Sequence, residues 1–245
     1  MITAIIIPAR FESTRFPGKP LALISGKPMI EWVVNAALKS KLANKIIVAT
    51  EDERILNFVK ESLKVDACMT SRDHKCGTDR ITEVVKKYSE IEYIVNLQGD
   101  EPLMPPEYID KVIELLISNQ AQMSSLVAPL TELDDLTNPN IVKTVMDKDN
   151  FALYFSRSQI PFNRDNRNDI KYFRHIGIYG YTREAILKFS LLPPSSLEVA
   201  EQLEQLRVLE SGIKIKLGIV KRAYPAIDRP SDVNEVEKIL VSSCS

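Results

Sequence analysis

The sequence predicts an α/β fold with a doubly wound, mostly parallel sheet, on three observations. Through about the first 130 residues, short β-branched apolar runs alternate with segments whose apolar residues recur at helical spacing. The runs are apolar throughout rather than alternating, the pattern of strands covered on both faces. Each main run then breaks at a proline or a polar cluster, which would gather the turns at one edge of the sheet. Neither G-x-G-x-x-G nor G-x-x-x-x-G-K-[ST] occurs, so no dinucleotide fingerprint and no P-loop accounts for what that edge binds.

Residues 2–7 read as the first strand, broken at Pro8. Met29, Ile30, Val33, Val34, Ala37 and Leu38 predict a helix over 29–38, with Pro28 where a first turn accepts it. A second strand over 46–49 ends at Thr50-Glu51-Asp52, and a helix follows with Ile55, Leu56, Val59 and Leu63 on one face. A third strand covers 65–69, a helix 79–88 turns Ile81, Val84 and Val85 inward, and a fourth strand covers 93–97. That strand stops at Gln98-Gly99-Asp100-Glu101-Pro102. Pro105 opens the next helix, with Ile109, Val112, Ile113, Leu116 and Ile117 inward.

The second half changes character. Residues 141–146 and 151–155 read as strands, 156–168 as a polar, arginine-rich loop, 175–181 as an apolar aromatic stretch and 182–189 as a helix. Residues 198–209 read as one amphipathic helix, with Leu197, Ala200, Leu203 and Leu206 on one side. Ile213, Ile215, Leu217 and Ile219 alternate with Lys214, Lys216, Gly218 and Val220, the mark of a strand with one face packed. Pro230 opens a last helix through Val233, Val236 and Leu240. With no repeat and no linker in view, residues 1–245 read as a single domain. Its main sheet takes residues of about 1–130 and 213–245, and a mixed-sheet insertion takes about 131–212.

Composition excludes several classes of function. A net charge of -1 lacks the basic surplus of a nucleic-acid-binding protein. No apolar run reaches the roughly 18 residues of a membrane span, and a strand stands where an export signal would, so a cytoplasmic protein is expected. Cys68, Cys76 and Cys244 form no C-x-x-C pair and read as reduced thiols, with Cys68 in the core. His74 and His175 are the sole histidines, too few for a His-based metal cluster.

The chemistry is expected in the opening loop and at two distant acids. Residues 9–20 place Arg10, Arg15 and Lys19 in a proline- and glycine-restricted loop at the carboxyl end of the first strand, which suits a polyphosphate. Asp100 follows the fourth strand and Asp228 follows a short Tyr-Pro turn. Residues past several strand ends of a parallel sheet converge, and two aspartates facing a basic loop would hold Mg²⁺ with phosphate oxygens and water. A lone aspartate after a strand is also a common helix N-cap or turn residue, and for Asp228 that reading stands beside the metal one.

Several motifs together resemble one family. They are Ile7-Pro8-Ala9-Arg10 with residues 13–21 (Ser-Thr-Arg-Phe-Pro-Gly-Lys-Pro-Leu), and residues 71–80 (Ser-Arg-Asp-His-Lys-Cys-Gly-Thr-Asp-Arg). Residues 96–102 (Asn-Leu-Gln-Gly-Asp-Glu-Pro), 152–157 (Ala-Leu-Tyr-Phe-Ser-Arg), 175–181 (His-Ile-Gly-Ile-Tyr-Gly-Tyr) and 203–207 (Leu-Glu-Gln-Leu-Arg) complete the set. In this order, across nearly the whole chain, they resemble the cytidylyltransferases that activate 3-deoxy-manno-octulosonate (Kdo). The resemblance implies a Rossmann-like, GT-A-like nucleotidyltransferase fold and a homodimer, with 131–212 as the sugar-binding and dimerisation part. Residues 175–181 and 198–209 would be its contact surfaces. It implies that CTP and Kdo give CMP-Kdo and pyrophosphate, with Mg²⁺, for lipopolysaccharide synthesis. Residue by residue, Arg10, Arg15 and Lys19 would hold the triphosphate, with Lys19 beside the leaving pyrophosphate. Ala9, Thr78, Asp79 and Arg80 would lie at the nucleotide, and Asp100 and Asp228 would hold the metal. Gln98, Arg157, His175, Tyr179, Glu204 and Gln205 would contact the sugar acid, Arg157 through a guanidinium fork on its carboxylate.

The chain departs from the family pattern at two places. Ala226-Ile227-Asp228 stands where Gly-Val-Asp is usual, and the added Cβ would matter if that position required φ > 0. Cys76 stands where Ser is common before Gly-Thr. The competing expectations are the same reaction on the 8-amino analogue of Kdo or on another acid sugar such as a sialic acid. From a different class comes a nucleotide-sensing protein without turnover.

Overall fold

The structure is a computed structural model and describes residues 1–74, 76–119, 121–130 and 133–243. It divides into two compact units, Met1–Ile113 with Tyr224–Ser245, and Glu114–Ala223. Among the described residues no helix is long and apolar enough to cross a membrane.

The first unit starts with β1 (Ile2–Pro8), a tight hairpin of β2 (Leu23–Ile24) and β3 (Lys27–Pro28), and α1 (Met29–Leu38). It continues through β4 (Lys45–Thr50), α2 (Glu53–Asn57), β5 (Asp66–Met69), α3 (Gly77–Lys87), β6 (Ile91–Asn96) and the start of α4 (Pro106–Asn119). β1 runs parallel to both β4 and β6, and β4 parallel to β5, so the order is β6-β1-β4-β5 with all four carboxyl ends at one edge. Ile5, Ile6, Ile7, Val48, Ala49, Ile94 and Val95 are all 0% exposed, as strands covered on both faces require.

Local departures from the expected elements have physical causes. The β2–β3 hairpin escaped sequence reading because two-residue strands show no periodicity. Its turn residues Ser25 (φ 47) and Gly26 (φ 80) take the left-handed conformations that such turns need. The helix expected through Leu63 is α2 followed by a π-helical turn over Phe58–Leu63, which ends at left-handed Lys64 (φ 56). That widened turn buries Ile55 and Val59 fully while Leu56 and Leu63 stay half-buried. In α4, Ile117 is 51% exposed, because Ile113 and Leu116 occupy the inward face one turn apart.

The second unit holds β7 (Met123–Leu130), α5 (Leu133–Thr137), β8 (Lys143–Met146), β9 (Ala152–Ser156) and β10 (Tyr172–Thr182). α6 (Arg183–Phe189), α7 (Ser196–Glu201), α8 (Gln205–Glu210) and β11 (Ile215–Ile219) follow, and α9 (Val233–Ser243) returns to the first unit. β7 is parallel to β11 and antiparallel to β10; β8 is antiparallel to β10 and β9. The mixed pairing is as expected, but β7 was not read from sequence. Ser124 and Ser125 sit near its start at 0% exposure and interrupt the apolar signal. β11 hydrogen-bonds to β7 and falls within this unit.

Two further expectations are corrected here. Residues 198–209 form two helices, because Gln202 takes a left-handed conformation (φ 54) after a capping box between Ser195 and Glu198 starts α7. Ile219 does not share the packed face of Ile215 and Leu217; it is exposed at the strand's end.

Candidate active site

The opening loop is folded around Phe11. The Phe11 N–H donates to Glu51 Oε1 at 2.8 Å, and the Arg54 guanidinium lies 3.4 Å above the ring. Gly18 returns the chain, donating to the Phe11 carbonyl at 2.8 Å, with φ 71, and a Cβ there would crowd the ring at 3.2 Å. A short 3₁₀ turn over Lys19–Leu21 follows, seated by buried Pro20.

That turn aims Lys19 at both aspartates. Lys19 Nζ lies 2.7 Å from Asp100 Oδ2 and 3.9 Å from Asp228 Oδ1, and it donates to the Ile227 carbonyl at 2.9 Å. Arg15 holds Asp228 through two guanidinium nitrogens, both at 3.2 Å. The Ile227 N–H donates to the Asp100 carbonyl at 2.9 Å, so one backbone residue links the two acids. Ile227 is placed by an apolar cluster with Ile24, Met29 and Val236, against which Phe16, Trp32, Leu103 and Leu240 pack. The hairpin and α9 therefore bring residue 228 to residues 15–19 despite the distance in sequence.

Asp228 is not the helix-capping residue that one reading of the sequence allowed. The N–H groups of Asp228 and Arg229 both donate to Asp232, whose carboxyl is held below its ordinary value; burial opposes this, and the two backbone N–H groups outweigh it. Ala226 is not among the described residues with positive φ, so its Cβ causes no backbone strain.

A second cluster lies at the neighbouring strand ends. Ala9 is buried and donates to the Ala49 carbonyl at 2.9 Å. Arg80 on α3 is 1% exposed; its Nη2 stands 2.9 Å from Glu51 Oε2 and its Nη1 donates to Thr70 Oγ1. Burial lowers the Arg80 pKa, Glu51 raises it and Arg10 lowers it again, which places all three charges together. Thr78 and Asp79 occupy the first turn of α3, and a Cβ on Gly77 before them would touch Pro8 at 3.4 Å. Gln98 donates to Asn96 Oδ1 at 3.0 Å just past β6. Beside the 71–80 segment, Glu83 receives the Ser71 N–H (2.9 Å) and contacts His74 Nε2 (2.6 Å) and Lys87 (2.7 Å). Burial would raise its carboxyl, but these partners bring it down to about 2. Lys75 lies outside the described residues, as does Cys244; Cys68 is a buried free thiol, raised in pKa mainly by burial.

The remaining expected residues lie in the second unit. His175 is flanked by the rings of Phe155 (5.0 Å) and Tyr179 (5.2 Å), and burial pushes it down to about 3, so it is neutral. Ser125 Oγ lies 2.9 Å from His175 Nε2 and 2.8 Å from the Ile178 carbonyl. A hydroxyl proton given to that carbonyl would make Nε2 the imidazole donor and leave Nδ1 as an acceptor. Glu204 precedes α8 and Gln205, which is buried, begins it. The Arg157 guanidinium donates to the carbonyls of Glu201 (2.7 Å), Pro139 (2.8 Å) and Gln202 (3.4 Å), so three of its five N–H groups brace the chain.

The first unit's acids fit a hard divalent cation. Both carboxylates lie within 3.9 Å of Lys19 Nζ, so two oxygen donors of the kind a hard divalent cation takes stand close together. Among the described residues no group of three or more His, Cys, Asp or Glu could hold a metal alone, so ligand oxygens and water would complete the shell. Sequence reasoning passed over Glu51, whose only signal was its place just after a strand.

Residues 4–215 match the family described as Cytidylyltransferase. A protein of Thermodesulfovibrio yellowstonii named 3-deoxy-manno-octulosonate cytidylyltransferase is 47% identical, with 98% of each chain covered. Its namesake in Geobacter sulfurreducens is 46% identical, over 96% of this chain and 97% of that one. A solved structure of CMP:2-keto-3-deoxy-manno-octonic acid synthetase complexed with CTP superposes with a TM-score of 0.95 at 37% identity, covering 99% of this chain and all of that one (100%).

Proposed function

The chain belongs to the 3-deoxy-manno-octulosonate cytidylyltransferase family, and we propose that it transfers CMP from CTP to the anomeric hydroxyl of Kdo, releasing pyrophosphate. The observation that carries this reading is Lys19, set among Asp100, Asp228 and Arg15 at the carboxyl edge of a parallel sheet. Arg10, Arg15 and Lys19 receive the triphosphate, and Ala9, Thr78, Asp79 and Arg80 line the nucleoside side. Asp100 and Asp228 are the carboxylates that would hold Mg²⁺, which as a hard Lewis acid neutralises triphosphate charge. The sugar hydroxyl attacks the α-phosphorus in line with the bond to the leaving pyrophosphate. Lys19 stands where charge builds on that leaving group, and the remaining work is positioning. No enzyme-bound covalent intermediate is required.

For the sugar acid we propose Gln98, Arg157, His175, Tyr179, Glu204 and Gln205 as contacts. Neutral His175 offers Nδ1 to a sugar hydroxyl, and Arg157 supports the backbone beside α7 and α8. We further propose a homodimer working in the cytoplasm in lipopolysaccharide synthesis; the free thiol of Cys68 suits a reducing compartment. The test is to incubate purified protein with CTP and either Kdo or its 8-amino analogue, with MgCl₂ or EDTA. Pyrophosphate release is followed, and the CMP-sugar is identified by mass spectrometry. Magnesium-dependent product with Kdo is expected; CTP binding without product from any acid sugar overturns the proposal. Sedimentation at micromolar concentration should give the mass of two chains.

A further inference from the structure

Three ligand-side segments of the first unit meet at Glu51, a residue that nothing in the sequence singled out. Its carboxylate is 8% exposed. One oxygen accepts the Phe11 N–H and so anchors the loop that bears Arg10, Arg15 and Lys19. The other stands 2.9 Å from Arg80 Nη2, in ion-pair contact without aligned hydrogen-bond geometry. Arg80 in turn donates to Thr70 just past β5, so the ends of β1, β4 and β5 and the helix α3 are joined through one carboxylate.

The same cluster holds an imbalance. Arg80 Nε and Arg10 Nη2 are both buried and have no hydrogen-bond partner among the described residues. A buried guanidinium N–H without an acceptor is costly, and native proteins leave few of them. Two occur here, on cations close enough for Arg10 to disfavour the charge of Arg80. Glu51 and Glu83 both offset the charge of Arg80, and the two buried N–H donors are still left without an acceptor. That set suits an acceptor-rich or anionic group of a ligand. Glu51 is what makes the arrangement tenable, because it offsets one of the charges and fixes the orientation of the other.

We infer that Glu51 is a positioning residue for the nucleotide: it locks Arg80 and the start of the opening loop so that the unspent N–H groups of Arg10 and Arg80 are held ready for acceptor atoms of CTP. The inference rests on the CTP reading proposed above. Glu51 touches no reacting atom in this scheme. Its loss should therefore weaken nucleotide binding selectively, leaving the handling of the sugar unchanged.

The test compares the full-length wild type with E51Q, E51D and E51A. CTP dissociation constants come from titration calorimetry, KM for each substrate and kcat from pyrophosphate release, and thermal transitions from circular dichroism. Glu51→Gln keeps the size and the acceptor for Phe11 but removes the charge. It should weaken CTP binding about tenfold, the worth of one charge-assisted contact. KM for Kdo should stay within about twofold of wild type, and the thermal transition near its wild-type position. Glu51→Asp, which restores the charge, should recover part of the CTP affinity. Wild-type CTP affinity in E51Q overturns the inference. So does a parallel rise of both KM values with a lowered thermal transition, since that is the behaviour of a merely structural residue. Should E51A not fold, E51Q and E51D decide the matter. A wild-type protein that fails to bind CTP refutes the functional reading itself, a result separate from wild type and E51Q binding it equally.

Discussion

Replacing Gly99 with alanine tests how rigidly the two strand ends hold the acidic and basic sides of the cluster. Gly99 lies between Gln98 and Asp100, just past β6, and a Cβ built there would stand 2.8 Å from the Pro8 carbonyl oxygen and 3.8 Å from Ala9 Cα. Real Cβ contacts are rarely closer than 3.4 Å, and here the obstacle is backbone rather than a yielding side chain. β1 and β6 are paired in register up to Ile6 and Asn96, and the Leu97 N–H still donates to the Ile6 carbonyl at 3.2 Å. The two segments must then part by about half an ångström, an overpacking that costs roughly 1–3 kcal/mol. In a chain of this size each kcal/mol lowers Tm by about 2–4 °C. The same displacement moves Asp100 away from Lys19, or Ala9 and Arg10 away from the nucleotide, and misplacement on this scale reduces kcat by about 10- to 100-fold. The assay is pyrophosphate release at saturating CTP and Kdo, beside a thermal melt. G212A is the control: its Cβ meets nothing within 4 Å but its φ of +80 strains alanine, so stability should fall with kcat unchanged. Wild-type turnover and Tm in G99A would refute the reasoning that this close approach sets the geometry.

Asp100→Asn should lower kcat by about 100-fold or more, the scale of a lost electrostatic stabiliser. Near-normal magnesium-dependent turnover in that variant removes Asp100 from the site. His175 is held at about 3, whereas an unfolded histidine titrates near 6.5. Between those values the unfolded chain binds the extra proton, so stability is intact above about pH 6.5 and declines on acidification toward pH 3. The slope is about 1.4 kcal/mol per pH unit for that one proton; denaturant midpoints of wild type and H175Q across this range should differ in slope by it. Glu83, held at about 2, stabilises the fold above its unfolded value near 4.3, and that stability is lost as pH falls through about 2. E83Q should therefore be less stable at pH 7 by on the order of 2 kcal/mol after allowance for solvent screening, and the gap should close in acid.

How much was legible beforehand depended on how local the deciding forces are. Residues 2–7, 29–38 and 106–117 are long or strongly patterned, and the expected elements match β1, α1 and α4. Where polar residues were buried the pattern failed: Ser124 and Ser125 hid β7, and with it the partner that draws β11 into the second unit. Gln202 in a left-handed conformation divides what reads as one helix, since no propensity rule requires glutamine there. Arg157 has the same limitation. Its sequence context marks it as chemically apt, but how many of its donors are free depends on three carbonyls 18, 44 and 45 residues away.

By itself, the sequence determined the alternation of strand and helix, the burial of the parallel strands, and the family, because periodicity and contiguous motifs are short-range properties. It also marked the opening loop's cations and Asp100 by their places after strand ends. The tertiary structure alone decided that Asp228, 213 residues beyond Arg15, shares its charge, that Asp232 rather than Asp228 caps the last turn, and that Glu51 joins Phe11 to Arg80. Those pairings depend on which apolar surfaces pack together, as Ile227 does with Ile24, Met29 and Val236, and packing between distant segments leaves no periodic trace along the chain.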